Sequence, residues 1–204
     1  LEHLDGAAMR AAALALQRIT ALGFTETYVS FNASTHALSG AGLLDDMIWT
    51  AAELQVAPER LVIEVLETVF FGDDATETRL AHQIEQLRQA GFRAMLDDFG
   101  VGYAGLAHLG QLEINGLKID RSLIRKIKTG RAEAVIVRAI LNLARDLGLG
   151  VVAEGVEDAD MAKILKAQGC RLAQGYHIAR PMTLEKLEGW LTTYAAQHPR
   201  AARG

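Results

Sequence analysis

With 204 residues, half of them hydrophobic and 23% charged, the chain can bury a sizeable core and has the composition of an ordinary soluble globular protein. A formal charge of −4 argues against broad attraction to a nucleic-acid polymer or an anionic membrane. The single cysteine, Cys170, excludes an internal disulfide, and no apolar run approaches the ~20 residues of a membrane span, so a cytoplasmic protein is expected.

The opening Leu1-Glu2-His3-Leu4-Asp5 lacks the basic and apolar regions of a signal peptide. An alanine-rich stretch over 6–22 predicts a helix, which Gly23 is placed to end. A strand over 28–32 follows, then a helix over 42–56 and a strand over 61–65 beyond Pro58. The pattern repeats as helix 76–90 and strand 93–97, short helix 103–109 and strand 115–119, helix 131–147 and strand 150–153, and helix 158–168 and strand 171–174. A last helix is expected over 183–196, and the polar tail 198–204 is expected to fray.

The strands are short continuous apolar runs, as parallel strands buried on both faces require. Their alternation with amphipathic helices predicts an α/β fold, and the absence of a linker favours one domain over 1–197. A closed (β/α) barrel has eight strands, so six suggest a TIM-like barrel lacking its first strand or two in this chain. Cys170 reads as a small core residue.

Polar groups recur where these strands end. They are Asn32, Glu64, Asp97 with Asp98, Lys118, Glu154 and Gln174, which a barrel would deliver to one rim. Carboxylates with an amide and a lysine suit divalent cations and a phosphate-bearing substrate. Asp97 and Asp98 should point in different directions, one bridging two cations and its neighbour binding the second. The glycines that follow let the loop bend beside a ligand. Glu64 sits in an apolar strand, where an unpaired carboxylate is costly, so a cation or a salt bridge must balance it. Lys118 needs a carboxylate or a reactive oxygen; a structural pair with Asp120 is the alternative. Glu154 could accept a proton or join a metal, and Glu157 could orient it. Glu67 reads as an orienting group in the loop. Gln174 and Tyr176 could offer an amide and an aromatic face to a base, with core packing as the alternative for Tyr176. Arg121, Arg125, Lys126, Lys128 and Arg131 read as a solvated surface or a subunit contact. The six histidines show no metal-ligand spacing, so no histidine-based zinc site is expected.

In order, the segments Val29-Ser30-Phe31-Asn32-Ala33-Ser34, Glu64-Val65-Leu66-Glu67-Thr68, Leu96-Asp97-Asp98-Phe99-Gly100-Val101-Gly102-Tyr103, Leu117-Lys118-Ile119-Asp120, Val152-Ala153-Glu154-Gly155-Val156-Glu157, Gln174-Gly175-Tyr176 and Arg180-Pro181 resemble the EAL domain family, from about residue 6 to 195. The resemblance implies a TIM-like barrel that hydrolyses cyclic di-GMP to linear pGpG with Mg²⁺ or Mn²⁺. It implies that Asn32, Glu64 and Asp97 hold a first metal, and that Asp97 and Asp98 hold a second with Glu154 near it. Lys118 would contact the nucleophilic water, and Glu154 would be a candidate base. Glu67 would steady the loop 99–105, which couples the metal site to dimerisation. Glu157, Gln174 and Pro181 would lie near guanine and ribose, with Tyr176 beside them. A homodimer and an upstream sensor or GGDEF domain are the implied partners.

The Glu-Ala-Leu motif itself is absent; it belongs to a strand upstream of residue 1. Leu66, Val101 and Ala104-Gly105 stand where hydroxyl residues are usual. The alternative reading is a catalytically inactive cyclic di-GMP receptor signalling through a partner. An unrelated Mg²⁺ barrel with Lys118 as base is a third.

Overall fold

The computed structural model describes residues 2–40, 42–71, 74–101, 109–110 and 112–197. The helix expected over 103–109 lies outside the described residues except at Leu109, as do most of the loop 99–105 and the tail 198–204. The chain divides into two compact units, one of Leu1–Ile63, Gln86–Arg93 and Pro181–Gly204, the other of Glu64–Glu85 and Ala94–Arg180.

In the first unit, α1 (Glu2–Ala21) forms because alanine costs no side-chain entropy in a helix. Its buried residues Met9, Ala12, Ala13, Leu16 and Ile19 recur at three- and four-residue spacing. Gly23, at φ +94°, ends it with an amide that donates to the Thr20 carbonyl. Strand β1 (Val29–Asn32) follows, then a short helix α2 (Thr35–Ser39) that the sequence reading did not separate from its loop. Its N-cap is Ser34, whose hydroxyl accepts the Ala37 amide and donates to Asp5 at 2.6 Å. Helix α3 (Leu43–Leu54) packs on α1 through buried Met47, Ala51 and Leu54. The Gln17 amide crosses from α1 to the Leu54 carbonyl at 2.9 Å. Arg60 satisfies the turn after α1 by donating to the carbonyls of Phe24 and Thr27 and to the Thr20 hydroxyl. Helix α8 (Leu184–Gln197) is tied to α1 by the pair Arg18–Glu188.

The sheet runs in chain order. Strand β2 (Leu61–Leu66) begins in the first unit and ends in the second, and is followed by helix α4 (Asp74–Gln89). Then come β3 (Arg93–Phe99), β4 (Gly116–Ile119), β5 (Gly150–Ala153) and β6 (Leu172–Ala173), giving the order β1-β2-β3-β4-β5-β6. The pairs β3–β4, β4–β5 and β5–β6 are all parallel. All four residues of β4 are buried, which explains why it reads as an unbroken apolar run around one lysine. Helix α5 (Arg121–Arg125), again unanticipated, starts at Asp120, whose carboxylate accepts the Ser122 amide at 2.7 Å. Helix α6 (Arg131–Asp146) covers the sheet with Val137, Ile140, Leu141 and Ala144, one face at helical spacing. Helix α7 (Ala159–Ala167) is capped by Asp158 and buries Met161 and Leu165. Cys170 is buried as expected, and burial pushes its thiol up, away from the reactive thiolate. No helix among the described residues is long and apolar enough to cross a membrane.

Candidate functional site

In the second unit, Glu64 of β2, the acidic pair of β3, Lys118 of β4 and Glu154 just after β5 bring charged groups together. Lys118, 4% exposed, projects from β4 between Leu117 and Ile119, which are fully buried. Its ammonium lies 2.8 Å from Glu64 Oε2, 3.0 Å from Asp97 Oδ1 and 2.6 Å from Glu154 Oε1. One ammonium thus meets three carboxylates, with the hydrogen bond to Glu64 among the contacts. Burial works against the charged amine. The hydrogen bonds to Glu154 and Glu64, with the charges of Glu64 and Asp97, overrule it and hold Lys118 above the ordinary lysine range. The alternative pair with Asp120 is not formed; Asp120 instead caps α5.

Asp97 and Asp98 come together through an irregularity in β3. The parallel register passes from Leu96↔Leu117 to Phe99↔Ile119, so β3 carries one residue more than β4 over this stretch. Asp98 takes up that residue in a left-handed conformation, φ +55°, and its amide donates to Asp97 Oδ1 at 2.9 Å. In a regular strand the two carboxylates would face opposite sides. Here oxygens of Asp97, Asp98 and Glu154 all lie within 4.8 Å of one another. Burial, together with the charges of Asp97 and Asp120, pushes the Asp98 carboxyl up. Burial also pushes Glu154 up, against the pull of Lys118, and the charges of Asp97 and Asp98 add to the rise.

Glu154 leaves β5 on a loop held by backbone contacts. Its amide donates to Ile119 O, and the Val156 amide to Gln174 O at 3.0 Å. Gly175 is required beside it, because a Cβ there would sit 2.2 Å from the Val156 carbonyl oxygen. Gly155, at φ +66°, likewise allows Arg121 to approach. Glu157 accepts two hydrogen bonds from Arg125, at 3.0 and 2.9 Å, and Lys128 pairs with Asp158 at 2.9 Å. Arg121, Arg125, Lys126, Lys128 and Arg131 are exposed, as a solvated surface requires, and within it Arg125 and Lys128 tie α5 and the turn after it to the loop that carries Glu154. Lys126 pairs with Glu133. No short-range sequence signal announces the Arg125 contact, because its partner lies 32 positions away.

Glu67, 2% exposed, follows β2 in a 3₁₀ turn, and its Oε2 accepts the Gly100 amide at 3.1 Å. Gln174 and Tyr176 are exposed, so the core-packing alternative for Tyr176 fails; the Arg180 guanidinium lies 4.7 Å over its ring instead. Asn32, exposed at the end of β1, and Pro181 belong to the other unit. Asp120, read from sequence only as a partner for Lys118, also bears on Asp98; the cap pattern Asp120-Arg121-Ser122 was the signal for its position.

The donor set tests well against hard divalent cations. Glu64, Asp97, Asp98 and Glu154 set four carboxylates against one ammonium, and three of the four supply mutually close oxygens with no thiolate or imidazole among them. With Glu64 and Asp97 buried, Glu154 half-buried and Asp98 exposed, such an excess of negative charge calls for more positive charge than Lys118 brings.

The EAL domain family model matches residues 1–181, and the chain belongs to that family. It is 34% identical over 195 residues to the cyclic di-GMP phosphodiesterase NbdA of Pseudomonas aeruginosa, covering 95% of this chain and 24% of the relative. The chain therefore spans about a quarter of the length of that curated relative. A solved structure of the PaMucR phosphodiesterase in complex with c-di-GMP superposes with a TM-score of 0.84 at 32% identity, covering 91% of this chain and 74% of that one. A manganese and cy-diGMP complex of Klebsiella pneumoniae BlrP1 gives a TM-score of 0.74 at 29% identity, covering 83% and 42%. The expected α/β fold, with a parallel sheet of the EAL barrel type, is thereby borne out.

Proposed function

We propose that the chain is the hydrolase module of a cyclic di-GMP phosphodiesterase, opening the cyclic dinucleotide to linear pGpG with Mg²⁺ or Mn²⁺ at a two-metal site. The observation that carries this reading is the cluster of Glu64, Asp97 and Glu154 around Lys118, with Asp98 beside it. The relatives named above support the substrate, and the manganese complex of BlrP1 supports the type of cation.

In this reading Glu64 and Asp97 would hold one cation, and Asp97 and Asp98 the other with Glu154 near it. When bound, such cations neutralise non-bridging phosphate oxygens and make water a better nucleophile. Glu154, whose carboxyl sits above the usual range, is matched to taking the proton of the attacking water. Lys118 supplies fixed positive charge toward the transition state without a change of protonation, because its partners keep it ammonium. Glu67 holds the Gly100 backbone, Glu157 is oriented by Arg125, and Glu157, Gln174 and Tyr176 would lie near the guanine and ribose parts. A homodimer, an upstream sensor or GGDEF domain and a cytoplasmic location complete the proposal.

Incubation with cyclic di-GMP and either metal, followed by chromatography for pGpG, tests it. Metal-dependent product that is lost in Asp97→Asn is expected. Tight nucleotide binding without product would replace the enzyme with a receptor, and neither would sink the reading.

A further inference from the structure

Lys118 touches the same carboxylates that the cations would use. Its amine is surrounded by Glu64 at 2.8 Å, Asp97 at 3.0 Å and Glu154 at 2.6 Å, and the side chain is buried among them. The ammonium donates a hydrogen bond to Glu64 and stands in close ion pairs with Asp97 and Glu154. A divalent ion binds carboxylate oxygen at roughly 2.0–2.6 Å. Even where it took the second oxygen of each group, it would stand beside a fixed positive charge with little water between them, and the two would repel.

We infer that Lys118 is the built-in counter-cation of this cluster, and that divalent-cation binding is an exchange in which its ammonium releases at least one of Glu64, Asp97 and Glu154. The inference rests on the proposed metal site and adds a residue that sets its affinity. Lys118 draws together carboxylates from β2, β3 and the loop after β5. On exchange a donor is freed and left facing the site, where a reacting oxygen can take it. The lysine thus lowers the affinity for metal and is armed by the metal's arrival.

Calorimetric titration with Mn²⁺, in the absence of nucleotide, compares the wild-type protein with Lys118→Met and Lys118→Arg. The Met variant is expected to bind at least about tenfold more tightly, which is about 1.4 kcal/mol. The Arg variant, retaining the charge, should stay near wild type. Met binding that is unchanged or weaker overturns the inference. Should the Met variant fail to fold without metal, the ¹⁵Nζ ammonium resonance of Lys118 in the wild-type protein is followed through a Mg²⁺ titration. A resonance that shifts and exchanges faster with solvent as the site fills supports the exchange; one unmoved at saturation overturns it. No binding of either metal to wild type or variants would instead remove the metal site itself, and this inference with it.

Discussion

Glu67 Oε2 accepts the backbone amide of Gly100 at 3.1 Å, joining the turn after β2 to the turn after β3 across 33 positions of sequence. The carboxylate is buried while Gly100 is exposed, so its loss forfeits a hydrogen bond to a charged group and leaves the amide to water. Glu67→Ala is therefore expected to destabilise the fold by about 1–3 kcal/mol. Glu67→Gln, which keeps an acceptor oxygen, should recover most of that loss. Urea unfolding of the three proteins decides it, and an Ala variant as stable as wild type would remove this anchoring role.

Asp98 holds a left-handed backbone, which Asn tolerates and β-branched residues do not. Asp98→Asn is expected to fold without a drop in melting temperature, since it also removes a charge crowded by Asp97 and Asp120. It should nevertheless bind Mn²⁺ more weakly. Asp98→Val should lose metal binding and, in addition, about 1–2 kcal/mol of stability from the backbone alone. Equal stability for Asn and Val would show that the conformation imposes no cost.

Gly175 allows the segment after β6 to lie against the Val156 backbone, where a Cβ would come within 2.2 Å of the carbonyl oxygen. Backbone cannot swing aside as a flexible side chain can. Gly175→Ala should destabilise by more than about 1 kcal/mol and displace the loop that carries Glu154. Gly148, also at positive φ but with nothing near its Cβ position, provides the contrast. Its Ala variant should cost less, as thermal melts would show.

Asp158 is held below the usual carboxylate range by its hydrogen bond from Lys128 and by the backbone N–H of Met161. A depressed folded-state value means that its contribution to stability is present above the unfolded aspartate range. It is lost as pH falls through the lower folded value. The difference in melting temperature between wild type and Asp158→Ala should accordingly be clear at pH 7 and shrink toward zero as the medium becomes strongly acidic. A difference that persists unchanged at low pH would count against ionisation as the source of the cap's stability.

Much of the scaffold was legible because burial writes itself into sequence. The run Gly116-Leu117-Lys118-Ile119 reads as a doubly buried strand, and all four residues are buried. The face Val137, Ile140, Leu141 and Ala144 marks a helix by spacing alone. The short helices at Thr35–Ser39 and Arg121–Arg125 were not separated from their loops, because five residues give hardly more than one turn of periodicity. Their only signals are the caps Ser34 and Asp120. Within the site, the need of Lys118 for carboxylates followed from its apolar neighbours. Which carboxylates answered could not follow, since Glu64 and Asp97 come from two other strands and Glu154 from the loop after a third. The contact between Arg125 and Glu157 was illegible for the same reason, and a basic run looked like mere surface.

The extra residue in β3 makes the spacing of the acidic pair a matter of chain length as well as composition. Deleting one residue between Leu96 and Phe99 would restore an unbroken ladder with β4 while leaving one carboxylate of the adjacent pair. Insertion of one more would move Phe99 off its partner Ile119. Substitutions at this point can be graded by size and charge, but a frame-preserving deletion of one codon cannot be partly tolerated. The cluster is thus guarded by counting, and a variant with every other chemical group intact could still be silent because its strand is one residue too regular.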